Sequence, residues 1–85
     1  MSSVRVQFVG PMRDATNGTK HVECQAASVD ELLDTLQRQF GDGFDKMARK
    51  CRIVVNGSAI QFLQGRKTAL KDGDSITMLM PVGGG

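Results

Sequence analysis

Tryptophan and tyrosine are absent from this 85-residue chain, and phenylalanine occurs four times. Aromatic burial is therefore limited, and a core must be assembled mostly from Val, Ile, Leu and Met. No apolar run approaches the ~18 residues that a membrane-spanning helix needs, so no membrane partner is expected. No signal peptide precedes the first candidate strand. The two cysteines, Cys24 and Cys51, form no CxxC motif, and a single histidine, His21, leaves no second pair or His cluster to complete a metal site. They read as small, partly buried strand residues carrying reduced thiols, in a cytoplasmic protein. His21 has no sequence partner for acid–base work and reads as a surface strand residue.

Charge of one sign is not in large excess either: 11 basic against 9 acidic residues leave a net charge of +2. Nucleic-acid binders usually show a basic stripe interleaved with stacking aromatics. The nearest equivalent is Arg49, Lys50 and Arg52, with Arg66 and Lys67 further on. These read as solvated charges; the alternative is an acidic protein partner, ahead of nucleic acid. At this length the chain suits one small domain, which buries roughly 60–65% of its unfolded surface. A single core is feasible; a second domain or an internal ligand chamber is not.

Val4 to Val9 alternates with period two and places Val4, Val6 and Phe8 on one face, the mark of a half-buried strand. Gly10-Pro11 ends it. Asn17-Gly18 is a turn dipeptide before a second strand, Lys20 to Cys24, with Val22 and Cys24 on one face and His21 and Glu23 opposite. Ser28-Val29-Asp30-Glu31 is a capping box, in which Ser28 accepts from the Glu31 amide and Glu31 reaches back to the Ser28 amide. Asp30 and Glu31 also suit the positive end of a helix dipole. Val29, Leu32, Leu33, Leu36 and Phe40 then form one helical stripe, and Gly41 is placed as its left-handed terminator. Phe44 to Ala48 suits one short helical turn, and Cys51 to Val55 a buried strand. Asn56-Gly57 predicts a hairpin returning through Ser58 to Gln61, and Ser75 to Met80 predicts the last strand. The order of elements implies an α+β fold: one mixed sheet with a main helix packed across one face, and the first and last strands as parallel neighbours at its centre. That arrangement is the β-grasp, expected over residues 1–80, with 81–85 as a flexible glycine-ended tail.

The whole chain resembles the ubiquitin-like β-grasp sulfur carriers, a family that includes the small subunit of molybdopterin synthase and the thiamin sulfur carrier. The opening strand with its Ser28-capped helix carries part of the likeness. Leu70-Lys71-Asp72-Gly73-Asp74-Ser75-Ile76 matches the family's Leu-x-Asp-Gly-Asp-x-hydrophobic turn into the final strand, for which a type I turn with a glycine suffices. Met80-Pro81-Val82-Gly83-Gly84-Gly85 stands beside the family's Pro-x-x-Gly-Gly ending, with three glycines where two satisfy the pattern.

The resemblance implies a chemistry for the tail. The carboxylate of Gly85 would be adenylated by an activating enzyme of the ubiquitin-activating (E1-like) kind, which uses ATP. A sulfur donor would then convert it to a thiocarboxylate. The chain would bind no cofactor itself and supply no base, metal or nucleophile, so it would act as substrate or subunit. Glycines without Cβ suit a tail that threads narrow active sites, which assigns Gly83 and Gly84 to partner binding. Pro81 stiffens the exit from the last strand, and Val82 and Leu79 offer apolar contact. Length favours the molybdopterin synthase branch, with the large subunit as partner in a heterodimer or heterotetramer. Carriers serving thiamin, cysteine or tRNA thiolation, a lysine-conjugated protein modifier, and a plain binding module are the alternatives.

Overall fold

The computed structural model describes residues 2–80. Five strands form one sheet: β1 (Ser3–Val9), β2 (His21–Gln25), β3 (Arg52–Val55), β4 (Ser58–Ala59) and β5 (Ser75–Leu79). Their spatial order is β2-β1-β5-β3-β4, with β1 and β5 parallel and every other pairing antiparallel. The first and last strands thus meet at the centre, as expected from the order of elements. Val4, Val6 and Phe8 of β1 and Ile76 and Met78 of β5 are all buried on one face. That face is covered by α2 (Val29–Phe40), whose Val29, Leu32, Leu33 and Leu36 are buried against it. The expected β-grasp is present.

The Ser28 cap holds, its Oγ accepting from the Glu31 amide at 3.2 Å. The return half of the capping box is not formed among the described residues. The helix start is tied instead to the loop before β5. Val29 N–H donates to Thr68 O at 3.0 Å and Leu70 N–H to Ala27 O at 2.9 Å, bridging Ser28 to Ala69. Gly41 has φ 90° and ψ −167°, positive in φ but extended in ψ, a region open essentially to glycine alone. This geometry turns the chain straight into α3 (Asp42–Ala48), which begins two residues before the predicted Phe44.

Other boundaries depart from the sequence reading as well: β1 begins at Ser3 and β5 ends at Leu79, each one residue earlier than expected. A short helix, α1 (Met12–Ala15), fills what was expected to be loop, and Met12 is fully buried beneath it. Strand β2 begins at His21 and ends at Gln25, one residue later than expected at each end. Cys51 lies just before β3, its Sγ donating to Ala48 O at 3.3 Å. Asn56 and Gly57 take φ of 50° and 88°, the two positive angles of a type I′ hairpin. The returning strand nevertheless stops at Ala59, because the chain coils into a 3₁₀ turn at Ile60–Phe62. A second 3₁₀ turn, Gly65–Lys67, leads on toward buried Thr68.

Three of the four phenylalanines close the core at one end. Phe8 meets Phe40 edge-on at 5.8 Å between ring centroids and Phe44 at 6.1 Å; Phe40 and Phe44 are 5.7 Å apart. Edge-to-face aromatic contacts of this kind add ~0.5–1.5 kcal/mol each beyond burial. They join β1, α2 and α3 beneath the end of the sheet where β5 finishes.

Candidate functional site

Strand β5 sits between β1 and β3, so its direction is fixed on both sides. In register, Leu79 lies beside Val9 of β1 and Arg52 of β3. Alternation sends Ile76 and Met78 into the core and Ser75, Thr77 and Leu79 to the open face, away from α2. Around Leu79 that face carries Val9, 36% exposed, with half-buried Val54 and Thr77. Met80, the last described residue, is partly buried against the core. The chain therefore leaves the sheet at a fixed point, beside a small apolar area edged by Arg52.

The start of β5 is held with equal care by the Leu70–Ile76 segment. Leu70 is buried. Asp72 Oδ1 accepts from Ser3 N–H at 2.6 Å, while Gly73 N–H donates to Ser3 O at 2.9 Å. Asp74 N–H closes the turn onto Lys71 O at 3.0 Å. Gly73, third in that turn, has φ 87°, whereas Asp72 is not positive. That sign pattern belongs to a type II turn, not the expected type I, and explains why glycine stands there. Asp74 also accepts twice through its carboxylate, from Lys71 N–H and from Asn56 Nδ2, both at 2.8 Å. Asn56 Oδ1 in turn accepts from Ser75 N–H at 2.9 Å. One motif thus fastens the first strand, the β3–β4 hairpin and the last strand together. The Lys71 amide first, then Asn56, hold the Asp74 carboxyl below its ordinary range.

Of the expected site residues, the described part contains only Leu79, and it stands on the open face at the strand's end. Pro81, Val82, Gly83, Gly84 and Gly85 lie outside the described residues, so the tail half of that reading does too. The sequence reading did not single out Val9 and Val54. Parity was their signal: with Val4, Val6 and Phe8 inward, an apolar Val9 must face outward.

The remaining candidates are quiet. Burial raises the Cys24 thiol and pushes Cys51 up to about 11, so neither is a ready nucleophile at neutral pH. His21 is exposed on β2, as its strand parity predicts. Among the described residues no three His, Cys, Asp or Glu side chains gather where they could hold a metal, and no helix is long and apolar enough to cross a membrane.

Comparison with known proteins agrees with this geometry. A match to the ThiS family runs over residues 6–85. The chain belongs to that family. Over 92 aligned residues it is 28% identical to the sulfur carrier protein CysO of Mycobacterium tuberculosis, covering 98% of this chain and 99% of that protein. Among solved structures it is similar to the small archaeal modifier protein 1 of Methanosarcina acetivorans, with TM-score 0.88 and 27% identity over 100% of this chain and 98% of the other. A subunit in the complex of subunits 1 and 2 of the molybdopterin-converting factor from Helicobacter pylori gives TM-score 0.72 and 31% identity over 98% of this chain and 99% of that one. The β-grasp fold and the resemblance to the ubiquitin-like sulfur carriers are borne out at the level of the family.

Proposed function

We propose that this ThiS-family chain is a sulfur carrier working through the carboxylate of Gly85. The observation that carries the reading is the family match, which extends through the glycines 83–85 and not merely over the folded sheet. Supporting it, β5 is paired on both sides, with β1 and with β3, so a segment following Met80 starts from a fixed place. In the proposed sequence the carboxylate attacks ATP on an E1-like partner, releasing pyrophosphate and leaving an acyl-adenylate. A sulfur donor then displaces AMP, and the resulting thiocarboxylate passes its sulfur to an acceptor held by a second protein. Leu79, with Val82 and Pro81, would make apolar contact at the partner's channel mouth, while Gly83 and Gly84 thread it.

For the acceptor we favour a pterin precursor, with this chain as the small subunit of a molybdopterin synthase. The 31% identity to one subunit of the Helicobacter pylori molybdopterin-converting factor supports that choice. A carrier for cysteine synthesis is the second reading, favoured by the near full-length likeness to CysO. The likeness to an archaeal modifier keeps lysine conjugation as the remaining alternative.

Intact mass decides the first step. After incubation with ATP, an activating enzyme and a sulfur donor, the peptide ending at Gly85 should gain the difference between sulfur and oxygen. No gain, where a control carrier is converted in the same assay, overturns the carrier reading. Adding the large subunit and pterin precursor should then return the tail to a carboxylate.

A further inference from the structure

Charge in this protein is less evenly spread than its total suggests. From Lys46 to Lys67 the chain holds six basic residues, Lys46, Arg49, Lys50, Arg52, Arg66 and Lys67, and no aspartate or glutamate. Over half of the 11 basic residues thus fall in one uninterrupted stretch, which the fold wraps around the β3–β4 edge of the sheet.

That edge is incomplete. β4 pairs only with Val54 and Val55, because the chain turns off at Ile60, so Arg52 and Ile53 have no strand partner on that side. The uncovered space is a groove of about 340 Å³ between the helices and β3. Its apolar walls include Leu33 of α2, Ile53 and half-buried Ile60, and Arg49, Arg52 and Arg66 also line it. Arg66 pairs with Asp30 at 2.7 Å and Arg49 with Asp45 at 3.2 Å. Arg52 makes no ion pair among the described residues. The 3₁₀ turn that carries Ile60 also bears Phe62, 79% exposed, followed by Leu63 at 42%. A phenylalanine that solvated is unusual in a chain with only four.

We infer that this groove docks an acidic segment of a protein partner, anchored by one or two apolar side chains. The volume lies near the lower end for ligand pockets and is enough to take one or two apolar side chains. An apolar floor rewards a Leu, Met or Phe anchor. Guanidiniums around it reward flanking carboxylates, which they can bind bidentately. Nucleic acid is disfavoured because Phe62 is the single exposed aromatic of the stretch, whereas stacked bases require several. The surface lies on the β3 flank of the sheet and meets the open face around Leu79 only at Arg52, whereas Arg66 belongs to the groove alone; its existence does not depend on the sulfur-carrier reading.

Selection from a random dodecapeptide display library on the folded protein tests this. Enriched peptides should combine at least two Asp or Glu with a Leu, Ile, Met or Phe, and should shift the amide resonances of Leu33, Arg49, Cys51 and Ile60. Arg52→Glu should weaken them roughly tenfold or more, since it places like charge against like, and Arg52→Lys should lose much less. Arg66→Gln, which leaves the sheet untouched, should weaken them too. Peptides without acidic enrichment, shifts confined to the Val9–Leu79 face, or binding indifferent to both Arg52→Glu and Arg66→Gln would overturn the inference. So would a poly-uridine RNA that displaces the peptides from the same resonances.

Discussion

Asp74 shows how much one side chain can organise. Its carboxylate gathers the Lys71 amide and the Asn56 amide group, and its own backbone carbonyl accepts from Arg5 N–H at 3.0 Å, so it touches three separate segments. Because its folded-state pKa is lowered, the unfolded chain binds the proton more readily. The stability Asp74 contributes is therefore fully present above the unfolded carboxylate value, about 3.9, and is lost as pH falls through the lower folded value. Urea midpoints measured from pH 6 downward should decline in the parent protein and decline less steeply in Asp74→Ala. The thiols give a second test at this scale. With Cys51 pushed up to about 11 and Cys24 also raised, iodoacetamide should label the native protein slowly at neutral pH. In denaturant both should react at the rate of free cysteine; equal rates in the two states would refute the burial argument.

Elements were legible where a period had room to repeat. The 12 residues of α2 contain enough turns for an apolar stripe and a serine cap to coincide, and its bounds came out as expected. Replacing Ser28 by Ala should cost about 1 kcal/mol, or roughly 4–8 °C in Tm for a domain of this size, read by thermal denaturation. By contrast α1 is four residues long, too short for any helical period, and Met12 is buried there because Gly10 at φ 64° turns the chain so that α1 packs against β1 and α3. The early end of β4 was equally hidden. Ser58 to Gln61 has strand-like composition, and only the tertiary course of the 60–68 segment decides that it coils. Thr68 Oγ1 takes part, donating to Gly65 O at 2.7 Å and accepting from Gln64 N–H at 3.1 Å. Of the site, the parity that puts Leu79 outward was readable; the convergence of Val9, Leu79, Val54 and Arg52 required the strand order.

At the scale of the whole molecule, folding and the proposed transfer are assigned to different parts of the chain. Every buried apolar residue of the described part falls between Val4 and Met78. Glycine has no side chain to add to that core, so deleting Gly84 and Gly85 should leave Tm unchanged while abolishing the mass gain upon activation. Leu36→Ala should do the reverse. Leu36 is fully buried, so its truncation should cost about 2–5 kcal/mol, yet the molecules that remain folded should acquire sulfur at the parent rate. Leu79→Asp separates the two differently: half-buried on the open face, it should retain most stability and slow activation. If the glycine deletion melted early, or Leu36→Ala lost sulfur loading among folded molecules, the tail would have to be part of the fold. The division between a rigid sheet and a reacting end would then fail.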